Sequence, residues 1–157
     1  MHKIVGIGEY ILSDNKKAIL KTFALGSCVA ITLYSPKNSI AGMAHIVLPS
    51  PESSKRPINS KPCYYASKAL PFLINQMSTN YGCAKEELEI ELFGGANSGK
   101  LADIFQIGAR NLDMLGDIMR EAGLVYKAEE VGGNYSRTVE IDVATGISIV
   151  RSQPMII

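Results

Sequence analysis

The sequence predicts an α+β protein in which two main helices pack on mostly antiparallel, mixed sheets. Short apolar runs and strict alternation crowd its first half, two segments with three- and four-residue apolar spacing stand well apart, and further strand-like runs close it. At 157 residues, with 46% hydrophobic and 20% charged residues, the chain reads as one globular domain over residues 1–157. A chain of this size buries roughly 70% of its unfolded surface. No internal repeat, low-complexity tract or interdomain linker interrupts it.

Residues 3–8 and 18–23 are short apolar runs separated by the turn-prone Ser13-Asp14-Asn15. Val29, Ile31 and Leu33 alternate with Ala30, Thr32 and Tyr34, the period of a strand. Ser35-Pro36-Lys37-Asn38-Ser39 is a turn by composition, and the next run, residues 40–48, ends at Pro49-Ser50-Pro51. Two strands around so short a turn form an antiparallel hairpin. Residues 49–62, rich in Pro, Ser, Lys and Arg, read as a long exposed loop. From Tyr64 to Tyr81, Tyr65, Ala69, Phe72, Leu73, Gln76 and Met77 fall at helical steps, with Pro71 predicting a kink or a restart and Gly82 the stop. Residues 88–93 alternate as a strand and lead into Gly94-Gly95-Ala96-Asn97-Ser98-Gly99. A second helix spans residues 108–122, with Leu112, Leu115, Ile118, Met119 and Ala122 on one stripe and Gly123 beyond its end. Residues 125–150 hold two or three strands punctuated by Gly132-Gly133-Asn134 and Thr145-Gly146.

A net charge of +1 and a pI near 7.7 argue against a general polyanion binder, so no nucleic-acid partner is expected. Lys55-Arg56 with Lys61, interrupted by Pro57, reads as a solvated loop. No apolar run approaches the ~20 residues of a bilayer span, which predicts no membrane insertion. The N-terminal segment lacks the features of a signal peptide, and three cysteines form no Cys-x-x-Cys pair. These features predict a cytoplasmic protein with reduced thiols, no structural zinc and no cofactor.

The chemistry-bearing residues concentrate in Gly26-Ser27-Cys28 and in His45, since the other histidine, His2, lies at the terminus. A turn centred between Pro36 and Lys37 sets Cys28 opposite His45; one centred on Lys37 sets Val29 there and leaves the pair a diagonal or bulged contact. An adjacent imidazole stabilises a thiolate as an ion pair, and the imidazolium can then protonate a leaving amine. Gly26 permits a sharp turn, so backbone N–H groups around Ser27 and Cys28 could serve an oxyanion. A buried core cysteine beside a satisfied strand histidine is the bland alternative. Cys63, at a helix start, and Cys83, after Gly82, lack a histidine partner and read as structural. Gly94-x-x-x-x-Gly99-Lys100 nearly spells a phosphate loop, but Leu101 stands where Mg²⁺ binding needs Ser or Thr. Its glycines read better as points of close backbone approach or as the lining of a cleft. The Gly132–Arg137 segment reads by default as a hairpin turn, with a polar cleft wall as the alternative.

Leu25-Gly26-Ser27-Cys28, His45-x-x-Leu48-Pro49, Leu92-Phe93-Gly94-Gly95-Ala96, Ile107-Gly108-x-Arg110-Asn111, and Val131-Gly132-Gly133 followed by Arg137 together resemble the chemoreceptor glutamine deamidase (CheD) family of bacterial and archaeal chemotaxis. The resemblance covers nearly the whole chain. It implies a layered α/β sandwich and a protein-glutamine glutaminase that converts receptor glutamines to glutamate through a thioester, releasing ammonia. It further implies Cys28 as nucleophile, His45 as base and Thr22 as the residue orienting His45, with Thr32 a second candidate for that last role. Gly26 and Ser27 join as oxyanion or substrate-binding positions. The partners implied are the helical cytoplasmic domain of a chemoreceptor, as substrate, and the CheC phosphatase. The exposed 49–62 loop, leaving the strand that carries His45, is the expected lip for substrate or partner. A docking module with little turnover of its own is the alternative reading.

Overall fold

The computed structural model describes residues 1–97, 99 and 104–155. Among them are nine strands and two α-helices in three layers. The central layer is a five-stranded sheet ordered β2 (Tyr10–Ser13), β5 (Ile40–Ile46), β4 (Val29–Ser35), β6 (Glu89–Gly94), β7 (Lys127–Val131). Helices α1 (Ala66–Tyr81) and α2 (Ile107–Glu121) cover one face of it. A four-stranded sheet, β1 (His2–Ile4), β3 (Ile19–Leu25), β8 (Tyr135–Asp142), β9 (Ser148–Pro154), covers the other. The β1–β3 and β6–β7 pairs are parallel and the remaining pairs antiparallel, so the α+β, mixed-sheet prediction holds.

The alternation in β4 produces this layering. Val29, Ile31 and Leu33 join Leu70, Leu73, Met77, Leu115 and Met119 in a core on the helix side. Ala30 and Tyr34 join Leu20, Leu25, Phe93, Val139 and Ile141 in a second core between the sheets. Every residue of β4 and β5 is buried, as expected of strands covered on both faces.

Four sequence expectations are corrected. The first apolar run does not extend to Gly8: β1 stops at Ile4, and a separate β2 follows Gly8, which turns at φ +75°. Tyr10-Ile11-Leu12 carries no alternation, so periodicity could not reveal that strand. The β4–β5 hairpin closes at Ser35–Ile40 around a four-residue loop, with Ala30, not Cys28, opposite His45. The loop comprises residues 36–39 and places Ser39 at φ +53°, so the hairpin is centred between Lys37 and Asn38 rather than between Pro36 and Lys37. Helix α1 runs unbroken through Pro71, which lies on its exposed face, where water can meet the carbonyl that the proline leaves unpaired. Finally, Gly132-Gly133 is no hairpin turn: it carries the chain from β7 in one sheet to β8 in the other.

Helix ends follow the sequence closely. Gly82, at φ +67°, donates its N–H to the Ser78 carbonyl and ends α1; Gly123 lies just beyond α2. The 49–62 loop is predominantly exposed and is pinned at Asn59, whose N–H donates to the Tyr65 hydroxyl at 2.9 Å. Ser98, Lys100 and Leu101 of the near phosphate loop lie outside the described residues. Among the described residues, no helix is long and apolar enough to cross a membrane.

Candidate active site

The site forms where β3 meets the central sheet. Thr22 faces the space between the sheets, and then two residues of β3, Phe23 and Ala24, oppose one residue of β8. This bulge, with Ala24 at φ +55°, lets Thr22 and Leu25 both face inward although three positions separate them. The chain leaves the bulge directly into Gly26-Ser27-Cys28.

Three consecutive carbonyls of that loop are held. Gly26 accepts from the Ala96 N–H at 2.9 Å, Ser27 from Asn111 Nδ2 at 3.0 Å, and Cys28 from the Gly95 N–H at 2.8 Å. The approach of Gly94 explains its identity: a Cβ there would lie 2.5 Å from the Cys28 carbonyl oxygen, and its φ is +98°. The peptides are trans, so the Ser27 and Cys28 N–H groups point opposite to the anchored carbonyls. Among the described residues neither N–H has an acceptor.

His45 is buried, and its backbone is fixed to β2's approach by hydrogen bonds with Gly8 and Glu9. Its Nδ1 lies 2.7 Å from Thr22 Oγ1, which also lies 2.8 Å from the Val5 carbonyl oxygen. A hydroxyl has one proton, and the Val5 carbonyl can only accept. Thr22 therefore donates to Val5, and the protonated Nδ1 of His45 donates to Thr22. This tautomer leaves the lone pair on Nε2, which is buried and without a partner among the described residues. Thr32, two steps along β4 from Ala30, makes no such contact.

Cys28 immediately precedes β4, two residues before the Ala30 that faces His45, and its side chain packs against the core between the sheets. Thiol and imidazole are thus diagonal neighbours on one face, a relation that spans about 7–8 Å of backbone. Burial pushes the Cys28 thiol up to about 11 and pulls the His45 imidazole below its ordinary value. Both shifts favour a neutral thiol beside a neutral imidazole. Burial thus weighs against the ion pair expected from sequence as the starting state. Cys63 and Cys83 sit in the helix-side core, with burial raising Cys63 to about 12.

These directions set a pH prediction. A raised Cys28 value means that its contribution to stability is complete below its ordinary 9.0 and is lost as pH rises toward about 11. A lowered His45 value means that its contribution is complete above 6.5 and is lost as pH falls. Iodoacetamide alkylation of Cys28, followed by peptide mapping, should keep accelerating from pH 9 to about 11 in the folded protein. In urea it should level off above pH 9. A plateau near pH 7 in the folded protein would instead indicate a resting ion pair.

Residues 47–152 match the family model described as CheD chemotactic sensory transduction. The chain belongs to the CheD family. The matched span takes in Gly94, Asn111 and Arg137, and the curated relatives match over a longer part of the chain. The probable chemoreceptor glutamine deamidase CheD of Syntrophotalea carbinolica is 40% identical over 146 residues, covering 92% of this chain and 90% of that protein. The chemoreceptor glutamine deamidase CheD of Thermotoga maritima is 35% identical over 151 residues, covering 96% and 92%. The crystal structure of the Bacillus licheniformis hypothetical protein YfiH superposes with a TM-score of 0.53 at 11% identity. It shares the fold, over 84% of this chain and 60% of that one.

In this CheD-family chain Thr22 and His45 are in hydrogen-bond contact, and Cys28, at the end of the Gly26-Ser27-Cys28 loop, lies two residues before the Ala30 that faces His45. Sequence reasoning gave no chemical role to two neighbours. Arg137 on β8 is buried opposite Leu25, with Nη1 3.5 Å from the Gly94 carbonyl and Nε 4.0 Å from Glu130. Asn111 is buried on α2 among Gly108, Leu115 and Met119. The signal for Asn111 was present: it stands at helical spacing on an otherwise apolar or small-residue face.

Proposed function

We propose that this chain is a cysteine-dependent protein-glutamine deamidase acting on the helical cytoplasmic domain of chemoreceptors. The observation that carries the reading is the Thr22–His45 hydrogen bond, which leaves a basic Nε2 on the face shared with Cys28. The substrate class follows from the names of the relatives, which are chemoreceptor glutamine deamidases. Residues 1–157 act as one deamidase domain, since both cores share the central sheet.

His45 Nε2 takes the Cys28 thiol proton as sulfur attacks the glutamine carboxamide carbon, forming the S–C bond. The carbonyl π pair moves to oxygen, where the Ser27 and Cys28 N–H groups receive it. The tetrahedral species collapses with C–N cleavage, and the proton held on Nε2 passes to the leaving nitrogen, giving ammonia and a thioester. Water, deprotonated by Nε2, attacks the thioester. The sulfur leaves and recovers a proton, and glutamate is the product. Starting from neutral partners avoids stabilising a buried ion pair before substrate arrives.

The family resemblance supports two further parts of the proposal, a cytoplasmic location and docking of the CheC phosphatase. The 49–62 loop, continuous with β5, is the lip along which a receptor helix would lie. Incubating the protein with a chemoreceptor cytoplasmic domain should release ammonia and raise the mass of glutamine peptides by about 1 Da per site, one amide becoming one acid. Absence of both products would return the docking-module reading.

A further inference from the structure

We infer that Asn111 is a positioning residue, which aims the oxyanion-binding N–H of Cys28 by holding the Ser27 carbonyl from the helix layer. The inference rests on the deamidase reading above and extends it to a residue outside the Cys28–His45–Thr22 group.

Asn111 Nδ2 donates to two carbonyls, Ser27 and Val47, at 3.0 Å each. Ser27 immediately precedes the nucleophile, and Val47 lies two residues beyond the base. One side-chain nitrogen thus ties the chain beside both reacting groups to α2. The amide orientation follows from these partners, because the flipped amide would set Oδ1 against two carbonyl oxygens.

As a purely stabilising device the residue is poorly suited to its place. It is fully buried in a helix interior, where asparagine is disfavoured, and its Oδ1 has no partner among the described residues. Its neighbours at helical spacing, Leu115 and Met119, fill the same face with apolar volume.

The gain lies in the Ser27–Cys28 peptide. In a trans peptide, fixing the carbonyl toward α2 fixes the Cys28 N–H on the opposite side. The peptides on either side are fixed in the same manner, but by backbone donors, Ala96 N–H and Gly95 N–H. The middle peptide alone is set by a side chain. Its orientation in advance is what makes such a donor effective, since no reorganisation accompanies charge development on the substrate oxygen.

Receptor deamidation and Cys28 alkylation separate this role from a structural one, because displacement on iodoacetamide passes through no tetrahedral oxyanion. Asn111→Leu removes the donor at nearly constant volume and adds no charge beside the thiol. It should lower kcat by about 10²–10³-fold, the usual effect of losing one oxyanion donor. KM and the Cys28 alkylation rate, with its pH profile, should stay at wild-type values. If Asn111→Leu does not fold, Asn111→Ala, which also lacks the donor, carries the same expectation. Leu115→Ala, a packing change on the same helix, should lower stability and leave kcat unchanged. Full turnover in a folded Asn111 variant, alkylation falling in step with kcat, or an equal kcat loss in Leu115→Ala would each overturn the inference while leaving the deamidase reading intact. A wild-type protein that releases no ammonia would remove the reading and the inference together.

Discussion

Cys28→Ala is expected to release no ammonia from a chemoreceptor domain, and His45→Ala to lower kcat by about 10³–10⁴-fold. The cysteine loss is complete because no second thiol can substitute: Cys63 and Cys83 are buried in the helix-side core. The histidine loss is large because the Cys28 thiol, pushed up to about 11, keeps its proton at neutral pH unless a base removes it during attack. The double variant should be no worse than Cys28→Ala alone, since the two act as one unit. Thr22→Val tests the tautomer. It removes the hydroxyl that bridges Nδ1 and the Val5 carbonyl, and should cost about tenfold in kcat, the worth of one neutral hydrogen bond. Thr22→Ser should restore the rate, whereas Thr32→Val should leave it unchanged. Equal rates for wild type and Cys28→Ala would sink the thiol mechanism, and a loss in Thr32→Val rather than Thr22→Val would assign the orienting role to the wrong strand.

Local signals in the sequence were reliable where the physics is local. The alternation of β4, the apolar faces of α1 and α2, and the stops at Gly82 and Gly123 depend on residues within a few positions of one another. The Cys28–His45 neighbourhood was legible up to a register error of two residues. An even slip keeps every side chain on its own face, so Cys28 and His45 still share a face although they are not directly opposed. The Thr22–His45 contact depends on how two separate sheets pack and on the Phe23–Ala24 bulge, neither of which leaves a spacing rule in the chain. The family pattern favoured Thr22 over Thr32, and only the packing of β3 on β5 gives that preference a physical basis. Gly94 lay between the two cases. Its sequence context indicated close approach, but the partner, the carbonyl of Cys28, became visible only in three dimensions.

Gly94→Ala should therefore damage the protein far more than an ordinary glycine substitution. A methyl group there would sit 2.5 Å from the Cys28 carbonyl oxygen and 3.3 Å from Leu25 Cβ, at a φ of +98°. Neither neighbour is a free side-chain end. The Cys28 carbonyl is held by Gly95, and the Gly94 carbonyl itself accepts from the Gly132 N–H at 2.8 Å and from Arg137. Left-handed strain of about 1–2 kcal/mol and overpacking of about 1–3 kcal/mol give an expected loss near 3 kcal/mol. For a chain of this length that corresponds to a fall in Tm of about 6–12 °C. Gly82→Ala is the matched control, since Gly82 also has positive φ but nothing lies within 4 Å of its missing Cβ. It should cost only the backbone strain, about 1 kcal/mol, with turnover intact. The two substitutions also separate stability from catalysis. In Gly94→Ala the Cys28 carbonyl must move, and with it the peptide that carries the nucleophile, so the fraction that remains folded should be nearly inactive. A Gly94→Ala protein that melts like Gly82→Ala and turns over like wild type would mean that the loop before β4 tolerates displacement, and that the anchored carbonyls do not set the geometry of attack.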